Sequence, residues 1–125
     1  MRNFRNYKIW NESIEFTTDI YKIVRTFPSY ERYGLGDQLR RASVSISSNI
    51  AEGSARESER EFVHFLSISL GSAFEVETQL QIAFNLEYID HHTLESLLEK
   101  VHLIEKQINE LISVIKRQLP KANSQ

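Results

Sequence analysis

His91, His92 and Glu95 lie within about a turn of one another, and the i, i+4 spacing of His91 and Glu95 puts an imidazole and a carboxylate on one helix face. That pairing is chemically able to hold a divalent cation. Histidines at an exposed helix start are ordinarily just solvated, so no metal ligand set is assigned. Glu75 and Glu77, with Arg41 and Glu52 from an earlier helix, form a second group. They could act as an acid-base pair, or as a satisfied polar network that fixes helix register, because a buried charge without a partner is costly. The network reading is preferred, with Gln38, Ser45, Asn49, Glu52 and Glu75 as its members. A third group, Arg40, Arg41, Arg56 and Arg60, could line a phosphate-binding surface, or form a solvated basic face balanced by Glu57 and Glu59.

No phosphate loop, nucleophile elbow or His-Glu-x-x-His occurs, and without cysteine there is no thiolate site. A di-iron carboxylate set is not expected either, and His64 and His102 are read as isolated. The expectation is a protein that is not an enzyme and carries no cofactor.

The element that must position these groups is the stretch Gly36 to Gly53, GDQLRRASVSISSNIAEG. Wound at 3.6 residues per turn it aligns Leu35, Leu39, Ala42, Ile46, Ile50 and Gly53 on one face. Gln38, Ser45, Asn49 and Glu52 fall beside that stripe. Serine and asparagine compete for backbone hydrogen bonds and are mediocre helix formers. Four serines and an asparagine in one helix therefore predict close helix approach and a shared hydrogen-bond network.

Three more helices surround it in sequence. The first is expected over about Asn6 to Thr26, with a seam of Trp10, Ile14, Thr17, Tyr21 and Val24, ended by Pro28. The central helix is expected over Leu35 to Ser54, with Gly53 available for a left-handed cap. Ser58 and Glu61 fit a capping box that opens helix three. Its main apolar face is Phe62, Phe65, Leu66, Ala73, Val76, Leu80, Ala83 and Phe84, with Ser69 and Ser72 on the same side. A second apolar line, Val63, Leu70 and Phe74, lies well round the cylinder and is assigned to a subunit interface, since a helix apolar on two sides must be covered on two sides. Asp90 caps helix four, where Leu97, Val101, Ile104, Ile108, Leu111 and Ile115 hold a four-three repeat. Pro120 stops it. The pattern predicts an all-α, antiparallel up-down-up-down four-helix bundle over residues 1–119, with a frayed tail at 120–125.

At 125 residues and 41% hydrophobic, the chain is the size of one domain. The absence of cysteine fits a reducing compartment, and no apolar run approaches the roughly 20 residues that cross a bilayer, so the expected location is cytoplasmic with no membrane partner. Charge is uneven. Residues 1–60 carry 10 Lys/Arg against 8 Asp/Glu, whereas residues 61–125 carry 5 against 9, for a net charge of −2 overall. A dedicated nucleic-acid binder usually shows a strong basic excess, which this chain lacks.

The runs Gln38-Leu39-Arg40-Arg41-Ala42, Ser45-Ile46-Ser47-Ser48-Asn49-Ile50-Ala51-Glu52-Gly53, Phe62, Phe65-Leu66 and Gly71-Ser72-Ala73-Phe74-Glu75-Val76-Glu77 resemble the bacterial four-helix bundle family encoded in 23S rRNA intervening sequences. The resemblance spans Trp10 to about Leu119. It implies a ring-like homopentamer and a molecular role that is not established, so a scaffold or interaction protein is expected. The family is similar in turn to the accessory variability protein of diversity-generating retroelements, a basic pentamer that associates with nucleic acid. By that likeness Arg40, Arg41, Arg56 and Arg60 are the candidate contacts to RNA or to a protein partner, and an RNA-associated factor is the alternative reading.

Overall fold

In the computed structural model, which describes residues 2–120, four helices follow one another: α1 (Lys8–Val24), α2 (Leu35–Ser54), α3 (Glu59–Asn85) and α4 (His91–Gln118). Short 3-10 turns at Phe4–Asn6 and Ser29–Glu31 precede α1 and α2, and there is no strand among the described residues. The expected tail residues Lys121 to Gln125 lie outside the described residues.

Local chemistry sets the helix ends. The Asp90 carboxylate accepts the Thr93 amide at 2.8 Å, and that hydrogen bond holds its pKa below the usual value. The Ser58 hydroxyl oxygen accepts the Glu61 amide at 3.1 Å; the Glu61 side chain meets the serine hydroxyl at 3.3 Å instead of closing the full box. Gly53 does not cap α2, whose C-cap is Ala55, and its φ is not positive. Its role is packing: a Cβ there would sit 2.6 Å from Phe65 Cβ. Among the described residues the left-handed one is Glu87, φ 67°, at the end of α3. There Tyr88 N–H donates to Ala83 O and Glu87 N–H to Phe84 O, a Schellman closure with glutamate where glycine is usual.

One core runs through all four helices. It contains Phe16, Ile20 and Val24 of α1, Leu39, Ile46 and Ile50 of α2, Phe62, Leu66, Val76 and Leu80 of α3, and Val101, Ile104, Ile108 and Ile115 of α4. The α2 and α4 stripes match the expected ones, with Ile112 buried deeper than Leu111. The α1 seam does not. Ile9, Ser13, Phe16, Ile20 and Val24 are buried, while Ile14 and Tyr21 are exposed. The competing register wins because Phe16 and Ile20 place more apolar surface inside than Thr17 and Tyr21, and because the Ser13 hydroxyl is satisfied by Ile9 O at 2.6 Å.

The helices touch as α1 with α2, α2 with α3, α3 with α4, and α4 with α1. Thr17 donates to Ser43 O, Ser69 to Ile46 O, and Lys100 pairs with Asp19 at 2.7 Å. Arg2 ties the chain start to the α2–α3 corner: it donates to Ser54 O at 2.9 Å and Arg56 O at 2.6 Å, pairs with Glu59, and lies over the Phe62 ring. A cation at the C-terminal end of α2 also suits the helix dipole.

Candidate interaction surfaces and a histidine-carboxylate cluster

The polar side chains of α2 sort into two sets. Ser45 and Asn49 meet Ser72 of α3. The two serine hydroxyls are 2.8 Å apart, and Asn49 Nδ2 donates to Ser45 Oγ at 2.9 Å and to Ser45 O at 2.8 Å. Ser69, wholly buried, donates to Ile46 O at 2.7 Å. This is the expected network, extended by two serines of α3. Gln38, Glu52 and Glu75 do not join it: all three are exposed, Glu52 pairs with Arg56 at 2.9 Å, and Glu75 lies 3.4 Å from Gln79 Nε2. Arg41 is exposed too. A long charged side chain costs less turned to water than sunk between helices this close.

The four arginines do not converge. Arg40 sits near the start of α2, bonded to Asp37 Oδ1 and Arg32 O and lying over Tyr21; Arg56 and Arg60 lie beyond its far end. Fourteen residues of helix separate Arg40 from the α2 end at Ser54, about 21 Å at the standard rise, and Arg56 lies past that end. Arg56 is taken up by Glu52 and the Phe65 ring, and Arg60 donates to Pro120 O. Only Arg41 has neither an ion pair nor a side-chain hydrogen bond among the described residues. It lines a shallow concavity with Tyr21, Asp37, Arg40, Val44, Ser45, Ser48 and Asn49.

The second apolar line of α3 is partly covered within the chain. Val63 is buried in the core, Leu70 packs against it, and only Phe74 is well exposed. The opposite flank carries a seam that hydropathy alone missed: Ile68, Ser72, Glu75, Gln79, Ile82 and Leu86 follow an unbroken four-three spacing. Ser72 and Gln79 are buried, Ser72 against Ser45 of α2, while Ile68, Ile82 and Leu86 are 40–50% exposed. Gln79 Oε1 is buried without a hydrogen-bond partner. The alternation of polar and apolar residues hid this line from a search for apolar stripes.

On its α4 side, α3 places Glu77 opposite His102, with Glu77 Oε1 and His102 Nε2 3.3 Å apart. Glu105, one turn along α4 from His102, completes a group whose ligand atoms all lie within 4.8 Å of one another. His102 is therefore not isolated. Burial, then a hydrogen bond to Glu77 and its charge, pushes the Glu105 carboxyl up to about 8, and Glu105 Oε2 is buried with no partner. The cluster escaped the sequence because its members come from two helices, and only the α3–α4 register brings them together. Two Glu-x-x-His spacings do occur, Glu61 with His64 and Glu99 with His102, but Glu61, His64 and Glu99 are exposed and stand outside the cluster. His91 and Glu95 are 3.2 Å apart and open to water, a surface pair at the start of α4.

No helix among the described residues is long and apolar enough to cross a membrane. The model of the family described as 23S rRNA-intervening sequence protein matches residues 5–110. The chain is also similar to a protein of Bacteroides thetaiotaomicron whose 1.70 Å crystal structure is described as a protein with unknown function from the S23 ribosomal protein family. Identity is 28% and the TM-score 0.76, over 83% of this chain and 97% of that one. No curated protein matches it.

Proposed function

Because the chain belongs to the 23S rRNA-intervening sequence protein family, whose solved relative is of unknown function, we propose that it works without catalysis, as a homo-oligomeric scaffold that binds through repeated surfaces. The observation that carries this reading is the seam Ile68-Ser72-Glu75-Gln79-Ile82-Leu86. A single copy leaves three large apolar side chains of one heptad line half open beside a buried, unpartnered Gln79 oxygen. A second copy laid along that flank would cover the first and could supply a donor to the second. If the contact joins this flank to a different face of the neighbour, the assembly closes as a ring, for which five members is our choice. Each ring would then present five copies of any weak binding patch, which gain affinity by avidity. Within each subunit the helices run antiparallel, up-down-up-down; the pairs Thr17 with Ser43, Gly53 with Phe65, Ser45 with Ser72, and Glu77 with His102 support that course. We place the assembly in the cytoplasm, in keeping with a chain that has no cysteine.

Native mass by light scattering tests the reading. The expected result is a pentamer, reduced to monomer by Ile68→Glu with Ile82→Glu. A monomeric wild type would overturn the scaffold, and an unchanged mass in the double variant would move the contact to another face, with Phe74→Glu tested next.

A second reading has its own observation, the concavity where Arg41 lies outward beside Tyr21. A guanidinium and an aromatic ring together suit a nucleotide's phosphate and base. As an RNA-associated factor the protein would bind structured RNA with an affinity that falls steeply with salt, and Arg41→Glu would lower the affinity more than Arg40→Glu or Arg56→Glu. RNA binding indifferent to both salt and Arg41 would end that reading.

A further inference from the structure

We propose that Glu77, His102 and Glu105 form a binding site for one first-row divalent cation per chain, at the α3–α4 contact. The inference stands apart from the scaffold reading and concerns a single subunit. Three features carry it. The first is donor type: one imidazole nitrogen and two carboxylates form a mixed nitrogen and oxygen set, which suits zinc and its neighbours better than calcium or magnesium.

The second is spacing. Tetrahedral zinc at about 2.05 Å from its ligands holds those ligands about 3.3 Å apart. His102 Nε2 and Glu77 Oε1 are already 3.3 Å apart, and all three donors fall within a 4.8 Å sphere of mutual distances. His102 and Glu105 are i, i+3 on α4, so both reach the same side of one helix, while Glu77 closes from the other. Two rigid helices, not a loop, set the geometry.

The third is unmet demand. Glu105 Oε2 is buried and has no hydrogen-bond donor, and no lysine or arginine among the described residues pairs with either glutamate. Two carboxyl groups this close do not both ionise readily unless something positive stands between them. A cation would satisfy the orphaned oxygen and both charges together. The His102 imidazole is half exposed and Glu77 more than a third, so an ion can enter from solvent, and water would fill its remaining positions.

The experiment is a calorimetric titration of the metal-free full chain with zinc chloride at pH 7 in a non-coordinating buffer. One ion per chain should bind saturably in the micromolar range. Glu105→Gln, which keeps shape and helix, should weaken binding at least tenfold, as should His102→Ala. His91→Ala with His92→Ala should leave it unchanged, since that pair sits at the exposed start of α4. Circular dichroism of each variant checks that it is folded, and Glu105→Gln decides if His102→Ala is not. Failure to saturate by millimolar zinc would overturn the proposal. So would binding that survives Glu105→Gln, or binding that disappears only with the His91 and His92 change.

Discussion

Helix α3 is held on its two sides by different means. Toward α2 it offers serines and a bare backbone: Ser69 and Ser72 bond to Ile46 O and Ser45, and Phe65 lies against Gly53, where no Cβ intervenes. Toward α4 it offers bulk and charge. The four-three line of Leu97, Val101, Ile104 and Ile108 fills the core, and Glu77 meets His102 at the rim. Close approach leaves no room for a charged side chain, so Arg41, Glu52 and Glu75 are turned to water. The α4 side instead carries a charged cluster, at the cost of a carboxyl that resists ionisation. Small polar residues in a helix thus specify distance, whereas large apolar ones specify volume.

If that division is right, each side should fail in its own way. The largest effect is expected on the α4 side from Ile104→Ala, which opens a cavity in a wholly packed core and should cost about 3 kcal/mol, read as a lower urea midpoint at unchanged m. On the α2 side the damaging change is the reverse, an added methyl. Gly53→Ala places a Cβ 2.6 Å from Phe65 Cβ, an atom fixed to its backbone, so α2 and α3 must part; about 1–3 kcal/mol should be lost. A Gly53→Ala variant as stable as wild type would show that the α2–α3 distance is not set by the glycine.

The sequence made the elements legible wherever chemistry was local. The α2 stripe, the Ser58 and Asp90 caps and the α4 repeat depend on residues within a few turns of one another, and they stand except for Leu111, which yields to Ile112, and the half-open box at Ser58. What failed depended on a partner helix. Two registers of α1 differ by one residue, and only the neighbours decide that Phe16 rather than Thr17 faces inward. Gly53 looks like a cap until Phe65 arrives beside it. Arg40 sits near the start of α2 and Arg56 past its end, so the two lie at opposite ends of that helix, and His102 looks alone because Glu77 reaches it from another helix. Val63 reads as outward because its angle on α3 departs from the main stripe, yet packing within the chain covers it.

A smaller effect isolates the charged cluster. The Glu105 carboxyl titrates at about 8 in the folded protein, against about 4.3 in an unfolded chain, because burial and then Glu77 disfavour its charge. A folded pKa raised in this way contributes stability that is complete below about pH 4.3 and is lost as the pH rises through 8. With chelator present, stability should therefore decline across that window by on the order of 1–2 kcal/mol, once solvent screening of a partly exposed pair is allowed for. Glu105→Gln should flatten the decline. A wild-type slope equal to that of Glu105→Gln would mean the two carboxylates do not share the site in solution.

The smallest effect lies in the connection between α3 and α4, and it sharpens the contrast from outside both contacts. The α2–α3 link closes without a left-handed residue, whereas the α3–α4 link turns on Glu87 at φ 67°, a conformation glycine adopts freely and glutamate does not. Glu87 is exposed, so replacing it removes no packing. Glu87→Gly should relieve the strain but loosens the unfolded chain, and the two effects oppose each other. The relief is the larger for a residue held in the left-handed region, so a net gain of about 0.5 kcal/mol is expected, with thermal unfolding shifted up by a few degrees. A loss instead would mean that the Glu87 side chain contributes more to the turn than its backbone costs, and that the α3–α4 contact, like the α2–α3 contact, depends on a residue chosen for where it forces the chain to go.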